Sequence, residues 1–350
     1  MRTPSALFAA ALAAAGVLMS EARGNEWNNP GRSYVFEPPA EDPDRSFQPE
    51  LEHMPEGFAA DIEGAMVTIG EFHGCAIEAV ENAEAGGELV CWRSGRDKEG
   101  LLQVPDGIFV QVSAGRHHTC AIREDERLVC WGKEDWVKSP PAGAFVQVSS
   151  GTSHACGVRK DGALKCFGMC PLGACDAPAG EFVQVSLAGH AGCGVLVNGS
   201  AACWGHGSSG PTGFGGANLP RGVQFTQVSL STSRTACGLT VNSSMVCWGR
   251  ITAHPDDGQL FVREGTFAMV SAGHNVYCGL RADLTLSCDG NVFHLGRNDP
   301  RAPPKTTQWT EVTTRHSTVC AIELDEPHAV QCWGGGIANA MPEQPIYAAA

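Results

Sequence analysis

Seven of the histidines stand just ahead of a cysteine. His73, His118 and His154 lie two residues before it, His117 and His190 three before, and His274 and His316 four before. Imidazoles gathered at one end of a fold could ligate a metal or carry protons near neutral pH. Their drift by a residue between copies, with no repeat pairing its histidine with a carboxylate, favours a structural role within their own turns. Gly205, Gly207 and Gly210 spell G-x-G-x-x-G, the pattern of a phosphate-cradling turn. Pro211 and further glycines stand where the helix completing such a site would begin, so the match is read as chance and no cofactor is expected. Sixteen cysteines could hold zinc, but tetrahedral structural sites use C-x-x-C knuckles and the chain has none, so no metal site is expected. Trp92, Trp131, Trp204, Trp248 and Trp333 each directly follow a cysteine, and this periodic placement points to packing between repeated units. No Ser, His and Asp constellation or carboxylate pair stands out.

These residues must be positioned by a framework that is not helical. Among 350 residues there are 43 Gly and 21 Pro, and helical periodicity is absent, which excludes a mainly α-helical protein. Asp and Glu outnumber Lys and Arg by 38 to 24, a balance poorly suited to nucleic-acid phosphates or anionic lipid. Sixteen cysteines, an even number, point to disulfides formed in an oxidising compartment. The start of the chain agrees: Arg2 precedes an apolar run from Ala6 to Leu18 that is too short for a stable membrane anchor, and Ser20 and Ala22 suit cleavage before Arg23. Residues 1–22 are therefore expected to be a signal peptide, and the mature chain is expected to be secreted with no membrane span. Residues 23–65 hold ten acidic residues against three Arg, with six Pro, and read as an acidic, extended linker.

From residue 66 to 334 one pattern returns seven times. It is clearest where Phe109 to Gly132 (FVQVSAGRHHTCAIREDERLVCWG) is laid over Phe145 to Gly168 (FVQVSSGTSHACGVRKDGALKCFG). Further copies begin at Phe182, Phe225, Phe267 and Trp309, and a degenerate first copy begins near Met66. Their first cysteines, Cys75, Cys120, Cys156, Cys193, Cys237, Cys278 and Cys320, are 36 to 45 residues apart. Such a period denotes a propeller, solenoid or array. Within a copy the alternation of F-V-Q-V-S predicts a half-buried strand. A second strand surrounds the first cysteine, and a third comes after a polar turn such as Lys160-Asp161-Gly162 or Asn198-Gly199. Strand triplets at this spacing fit radial blades better than a two-sheet sandwich.

The second cysteine follows the first by ten residues in five copies: Cys120 and Cys130, Cys156 and Cys166, Cys193 and Cys203, Cys237 and Cys247, Cys278 and Cys288. In a hairpin with an odd loop such residues face each other, close enough to bridge. Cys75 with Cys91 and Cys320 with Cys332 occupy the same places with longer turns, which leaves Cys170 to pair with Cys175. One disulfide inside every blade is expected.

The block V-S-A-G-x-x-H-x-C-x-(I/V/L), followed by a turn and V-C-W-G, resembles the repeat of the regulator of chromosome condensation superfamily. The cysteine-paired copies look most like those of Crinkly-type receptor ectodomains and β-lactamase inhibitor protein II. The resemblance implies an all-β, seven-bladed β-propeller over residues 66–334, followed by a C-terminal tail of residues 335–350. It does not imply the nucleotide-exchange activity of the intracellular founder, which lacks this disulfide ladder.

The function expected is that of a secreted, monomeric protein-binding module without catalysis of its own. The alternative is an extracellular lyase or hydrolase with a site at the mouth of the propeller channel. Asn198 and Asn242 head N-x-S sequons at the tips of equivalent hairpins and are candidate glycosylation sites on one face. The opposite face carries the turns with Arg116, His117, His190, His274 and Arg315, with Trp136 beside them, as candidate contacts for a protein partner. Ring closure needs a terminal segment, for which Ser33 to Phe36 or Ile337 to Tyr347 are candidates.

Overall fold

The computed structural model describes residues 67–346, apart from 81–85, 94, 208–218, 233–234, 250–260, 264, 275, 291–306, 317, 326–327, 335–340 and 342–345. All of these belong to one compact unit, residues 63–350. The leader, the acidic linker with Ser33 to Phe36, and the glycine-rich loop after Gly207 lie outside the described residues.

Each repeat forms an antiparallel three-stranded meander. The first strands are Val67–Ile69, Phe109–Ala114, Phe145–Ser150, Phe182–Ala188, Phe225–Leu230, Phe267–Ala272 and Trp309–Arg315. The second are His73–Ala79, His118–Arg123, His154–Arg159, Ala191–Leu196, Thr235–Thr240, Val276–Arg281 and Thr318–Glu323. The third are Gly87–Arg93, Leu128–Gly132, Leu164–Gly168, Ala201–Gly205, Met245–Gly249, Leu286–Gly290 and Val330–Gly334. In the fifth repeat Phe261–Arg263 adds a fourth strand beside the third. The first two repeats share a sheet through the pair Gly87 and Phe109.

Local chemistry sets the hairpins between second and third strands. Asp125, Asp161, Asn198 and Asp283 each accept the backbone N–H two residues on, at 3.0–3.1 Å, which stabilises the turn. The residue after each of these, Glu126, Gly162, Gly199 and Leu284, sits at positive φ, as does Ser243 after Asn242. The carbonyl of that residue accepts the N–H of the aromatic residue opening the following repeat, as in Phe182 to Gly162 at 2.8 Å and Phe225 to Gly199 at 2.7 Å. The turn of one repeat thus fixes the start of the next.

The first strands correct one sequence expectation. Simple alternation would place Phe, Gln and Ser of F-V-Q-V-S on one face and both Val on the other. Instead a bulge lies between the aromatic residue and the residue two further on, in repeats two to seven. A bulge adds one residue to a strand and re-aims the side chains beyond it. The aromatic residue and the second Val therefore pack on the same side: Phe109 with Val112, Phe145 with Val148, Phe182 with Val185, Phe225 with Val228, Phe267 with Val270, and Trp309 with Val312. The intervening Val183 is half exposed.

The core lies between repeats. The hydrophobic clusters join the second and third strands of one repeat to the first strand of the next, as where Cys75, Ile77 and Leu89 meet Phe109, Val112 and Trp131. One cluster joins Cys320, Ile322 and Val330 of the last repeat to Val67, Ile69 and Trp92 of the first, and Ile346 is buried within it. The Ile346 carbonyl also accepts the N–H of Val330 at 2.9 Å. Close approach explains the glycine after the first cysteine: a Cβ at Gly157 would sit 2.6 Å from the ring of Phe145.

Eight disulfides join the expected pairs, and seven link facing residues of second and third strands with Cα atoms 4.0–4.1 Å apart. The eighth, Cys170–Cys175, closes a loop between repeats. Within that loop Ala174 is buried and its carbonyl accepts the indole N–H of Trp204 at 3.0 Å. Leu101 serves Trp131 in the same way, at 3.0 Å.

Candidate binding face at the cavity mouth

The first strands of all seven repeats line one cavity of about 120 Å³. This is smaller than the ~300–1,000 Å³ of sites that enclose whole small-molecule ligands. At one equivalent position every repeat brings a hydroxyl residue to its lining: Thr68, Ser113, Ser149, Ser186, Ser229, Ser271 and Thr313. Each of the first six accepts a backbone N–H from the following repeat, from Ala114, Ser150, Leu187, Leu230, Ala272 and Thr314, at 2.9–3.1 Å. The glutamines two residues earlier form a second set of links. Gln111, Gln147, Gln184 and Gln227 accept the N–H groups of Val148, Val185, Val228 and Val270 at 2.6–3.0 Å. Gln147 and Gln184 also donate to the carbonyls of Val185 and Val228. The Gln and Ser of F-V-Q-V-S are thus clamps between repeats, a role that sequence reasoning missed although their recurrence was visible.

The histidines divide by their distance from the cysteine. His73, His118 and His154 are fully buried. Burial, aided by Arg315 for His73 and by neighbouring histidines for His118 and His154, pushes them down to about 3, 3 and 4, so they are neutral at pH 7. His118 packs over Gly115, where a Cβ would lie 2.4 Å from its ring, and His73 Nε2 meets the Thr119 hydroxyl at 2.6 Å. These three are core residues.

The others lie at the turns joining first and second strands. His274 is exposed, stacks on His316 with centroids 6.0 Å apart, and its Nδ1 is 3.3 Å from the Thr232 hydroxyl. Burial lowers the pKa of His190 and of His316. Arg116 is 3.2 Å from Glu71 and covers the ring of Phe72, which stacks on His117. His117 Nδ1 lies 3.0 Å from Glu99, which also attracts Arg93 and Lys133. A carboxylate partner for this histidine therefore exists, supplied by the loop between repeats and invisible at any fixed offset. Burial opposes ionisation of Asp97, but N–H groups of Leu102, Leu101 and Glu99 and the Arg93 guanidinium outweigh it and hold its pKa down, organising that loop.

Trp136 is only partly exposed. Its ring meets His118 and Phe167 edge-on at 4.6 and 5.5 Å, so it lies as a lid on a core histidine. Arg315, on the last of the turns joining first and second strands, lines the cavity, where Nη1 reaches the Ala114 carbonyl of the second repeat at 3.4 Å. On the same face the Cys170–Cys175 loop exposes Met169 and Leu172. Asn198 and Asn242 are exposed at hairpin tips at the other end of the second strands. Among the described residues no helix is long and apolar enough to cross a membrane, and no three His, Cys, Asp or Glu side chains gather as a metal-ligand set.

The family model described as "Regulator of chromosome condensation (RCC1) repeat" matches residues 109–135 and 145–169. No curated protein sequence matches the chain. Among solved structures, the CRINKLY WD40 ectodomain of the Arabidopsis thaliana receptor kinase ACR4 superimposes with a TM-score of 0.62 at 18% identity, over 80% of this chain and 98% of that one. The ectodomain of the Physcomitrella patens receptor kinase CR4 gives 0.62 at 22% identity, over 78% and 73%. Prp20p of Saccharomyces cerevisiae gives 0.52 at 15% identity, over 69% and 76%. This chain carries RCC1-like repeats, built into an all-β, propeller-like fold.

Proposed function

We propose that the chain is a secreted, monomeric protein-binding module: a closed, seven-bladed β-propeller that presents the loops around its cavity mouth to a protein partner. The observation that carries this reading is the contrast between what recurs and what varies. Gln, Ser, Phe and Cys repeat and are consumed in holding the repeats together. The turns at the cavity mouth vary between copies: Glu71-Phe72, Arg116-His117, Thr152-Ser153, Gly189-His190, Ser231-Thr232, Gly273-His274 and Arg315-His316. Varied side chains on a rigid scaffold are how loops acquire binding specificity. Closure is supported by the cluster that packs the last repeat on the first and by Ile346, which supplies the backbone partner of Val330. Eight disulfides support an oxidising destination, reached through a leader of residues 1–22. Prp20p, of the same fold, is described by its binding to Gsp1p and histones, and protein recognition suits this scaffold.

The test is hydrogen exchange on a complex captured from native extracellular medium with the oxidised protein. Protection is expected at the amides of residues 71–72, 116–117, 190 and 274. Protection confined to the hairpin tips around Asn198 and Asn242 would reverse the assignment.

A further inference from the structure

Two residues beyond the cavity hydroxyl, the seven repeats carry Gly70, Gly115, Gly151, Ala188, Ser231, Gly273 and Arg315. Six are small and one is a long cation. Residues two apart on a strand share a face, so Arg315 projects beside Thr313 into the space that the small residues leave. Among the described residues its one hydrogen-bond acceptor is the Ala114 carbonyl at 3.4 Å, beyond the usual 2.7–3.2 Å range, and its Nε is buried without a partner. Glu71, the carboxylate whose charge it feels, is engaged by Arg116 at 3.2 Å. A guanidinium partly withdrawn from water that must share the charge of Glu71 with Arg116 is under-compensated, and the hydroxyl ring supplies no further charge.

We propose that the cavity mouth is a carboxylate-binding site, in which Arg315 engages an acidic side chain of the protein partner. Size and charge select this ligand. A cavity of about 120 Å³, below the ~300–1,000 Å³ of sites that enclose whole ligands, suits a small group such as a carboxymethyl presented at its mouth. His73 and His118 are neutral, burial lowers the pKa of His316, and Arg116 is already paired, so among the described residues Arg315 is the one guanidinium at the mouth without an ion pair, which favours a monoanion over a phosphate dianion. Forked guanidinium–carboxylate pairs are the strong form of such contacts. The source of the carboxylate rests on the protein-binding reading; the site itself does not.

The test is a titration followed through the side-chain Nε–H resonance of Arg315 in nitrogen-15-labelled protein, at constant ionic strength and pH 7.5. The probes are acetate, inorganic phosphate, and a capped tripeptide with a central glutamate. Acetate and the peptide should each give a saturable shift that chloride does not, with the peptide binding more tightly. In R315K, followed through neighbouring backbone amides, acetate affinity should fall roughly tenfold, because Lys lacks the fork; in R315Q binding should vanish. Far-UV circular dichroism and intact disulfides establish that both variants are folded. No saturable shift with acetate, a shift that survives in R315Q, or phosphate binding as tightly as acetate would overturn the site. Acetate binding without peptide binding would overturn the partner side chain as its source. Failure to capture a partner while acetate and peptide bind would instead count against the protein-binding reading alone.

Discussion

Removing a single clamp, Gln184→Ala, tests whether hydrogen bonds between repeats hold the fold together. Gln184 Oε1 accepts the N–H of Val228 at 3.0 Å, and Nε2 donates to the Val228 carbonyl at 2.9 Å. Val228 is buried, so truncation strands both backbone groups away from water. Net loss of about 0.5–1.5 kcal/mol per hydrogen bond, with ~1–3 kcal/mol when a buried group is left unpaired, gives roughly 2–4 kcal/mol of destabilisation. Val183→Ala, one residue away on the bulge and half exposed, should change stability by less than about 0.5 kcal/mol. The assay is urea unfolding of the oxidised protein, paired with hydrogen exchange at the Val228 amide, which should lose protection in the first variant only. Equal stability of the two variants, or an unchanged Val228 amide, would refute the clamp.

The buried histidines give the fold a defined acid sensitivity. His73, His118 and His154 stay neutral in the folded state down to about 3, 3 and 4, whereas in the unfolded chain they protonate near ~6.5. Below about pH 6.5 the unfolded state binds the extra protons, so stability should fall as pH drops from 6.5 towards 4, by up to ~1.4 kcal/mol per pH unit for each histidine. Urea midpoints that stay level across that window would contradict the assignment. Replacing Cys170 and Cys175 by Ser should remove about 2 kcal/mol in the chain-entropy model and expose the Trp204 indole N–H to exchange, since that bridge holds the Ala174 carbonyl. An indole as protected as before would show that the loop keeps its shape unaided.

Much of this framework was legible in the linear sequence because it is local. A cysteine pair ten residues apart spans one hairpin, and the Asp or Asn that forms its turn lies between them. Even the separation of core from surface histidines is encoded in whether the ring stands two residues from the cysteine or further into the turn. The bulge was not legible, because F-V-Q-V-S reads as plain alternation until the partner strand shows an extra residue. The clamps were hidden for a related reason: Gln147 acts on Val185 of the next repeat, and nothing in the motif itself says which backbone it serves. The pairing of His117 with Glu99 and the inward fold of Arg315 depend on loops and on contacts across the cavity, where residues far apart in sequence meet.

The central claim is that the cavity-mouth face binds a protein. Capture from native extracellular medium should be compared among the unmodified chain, an Arg116→Glu and His274→Glu double variant, and a double variant at the opposite tips, Asn198→Lys and Asn242→Lys. Arg116 and His274 lie on turns at the cavity mouth and Asn198 and Asn242 on distant hairpins, so neither pair touches the clamps or the disulfides. The account predicts that the first variant loses the partner while the second retains it, with both remaining folded. Retention by the first and loss by the second would place recognition on the hairpin face and contradict it.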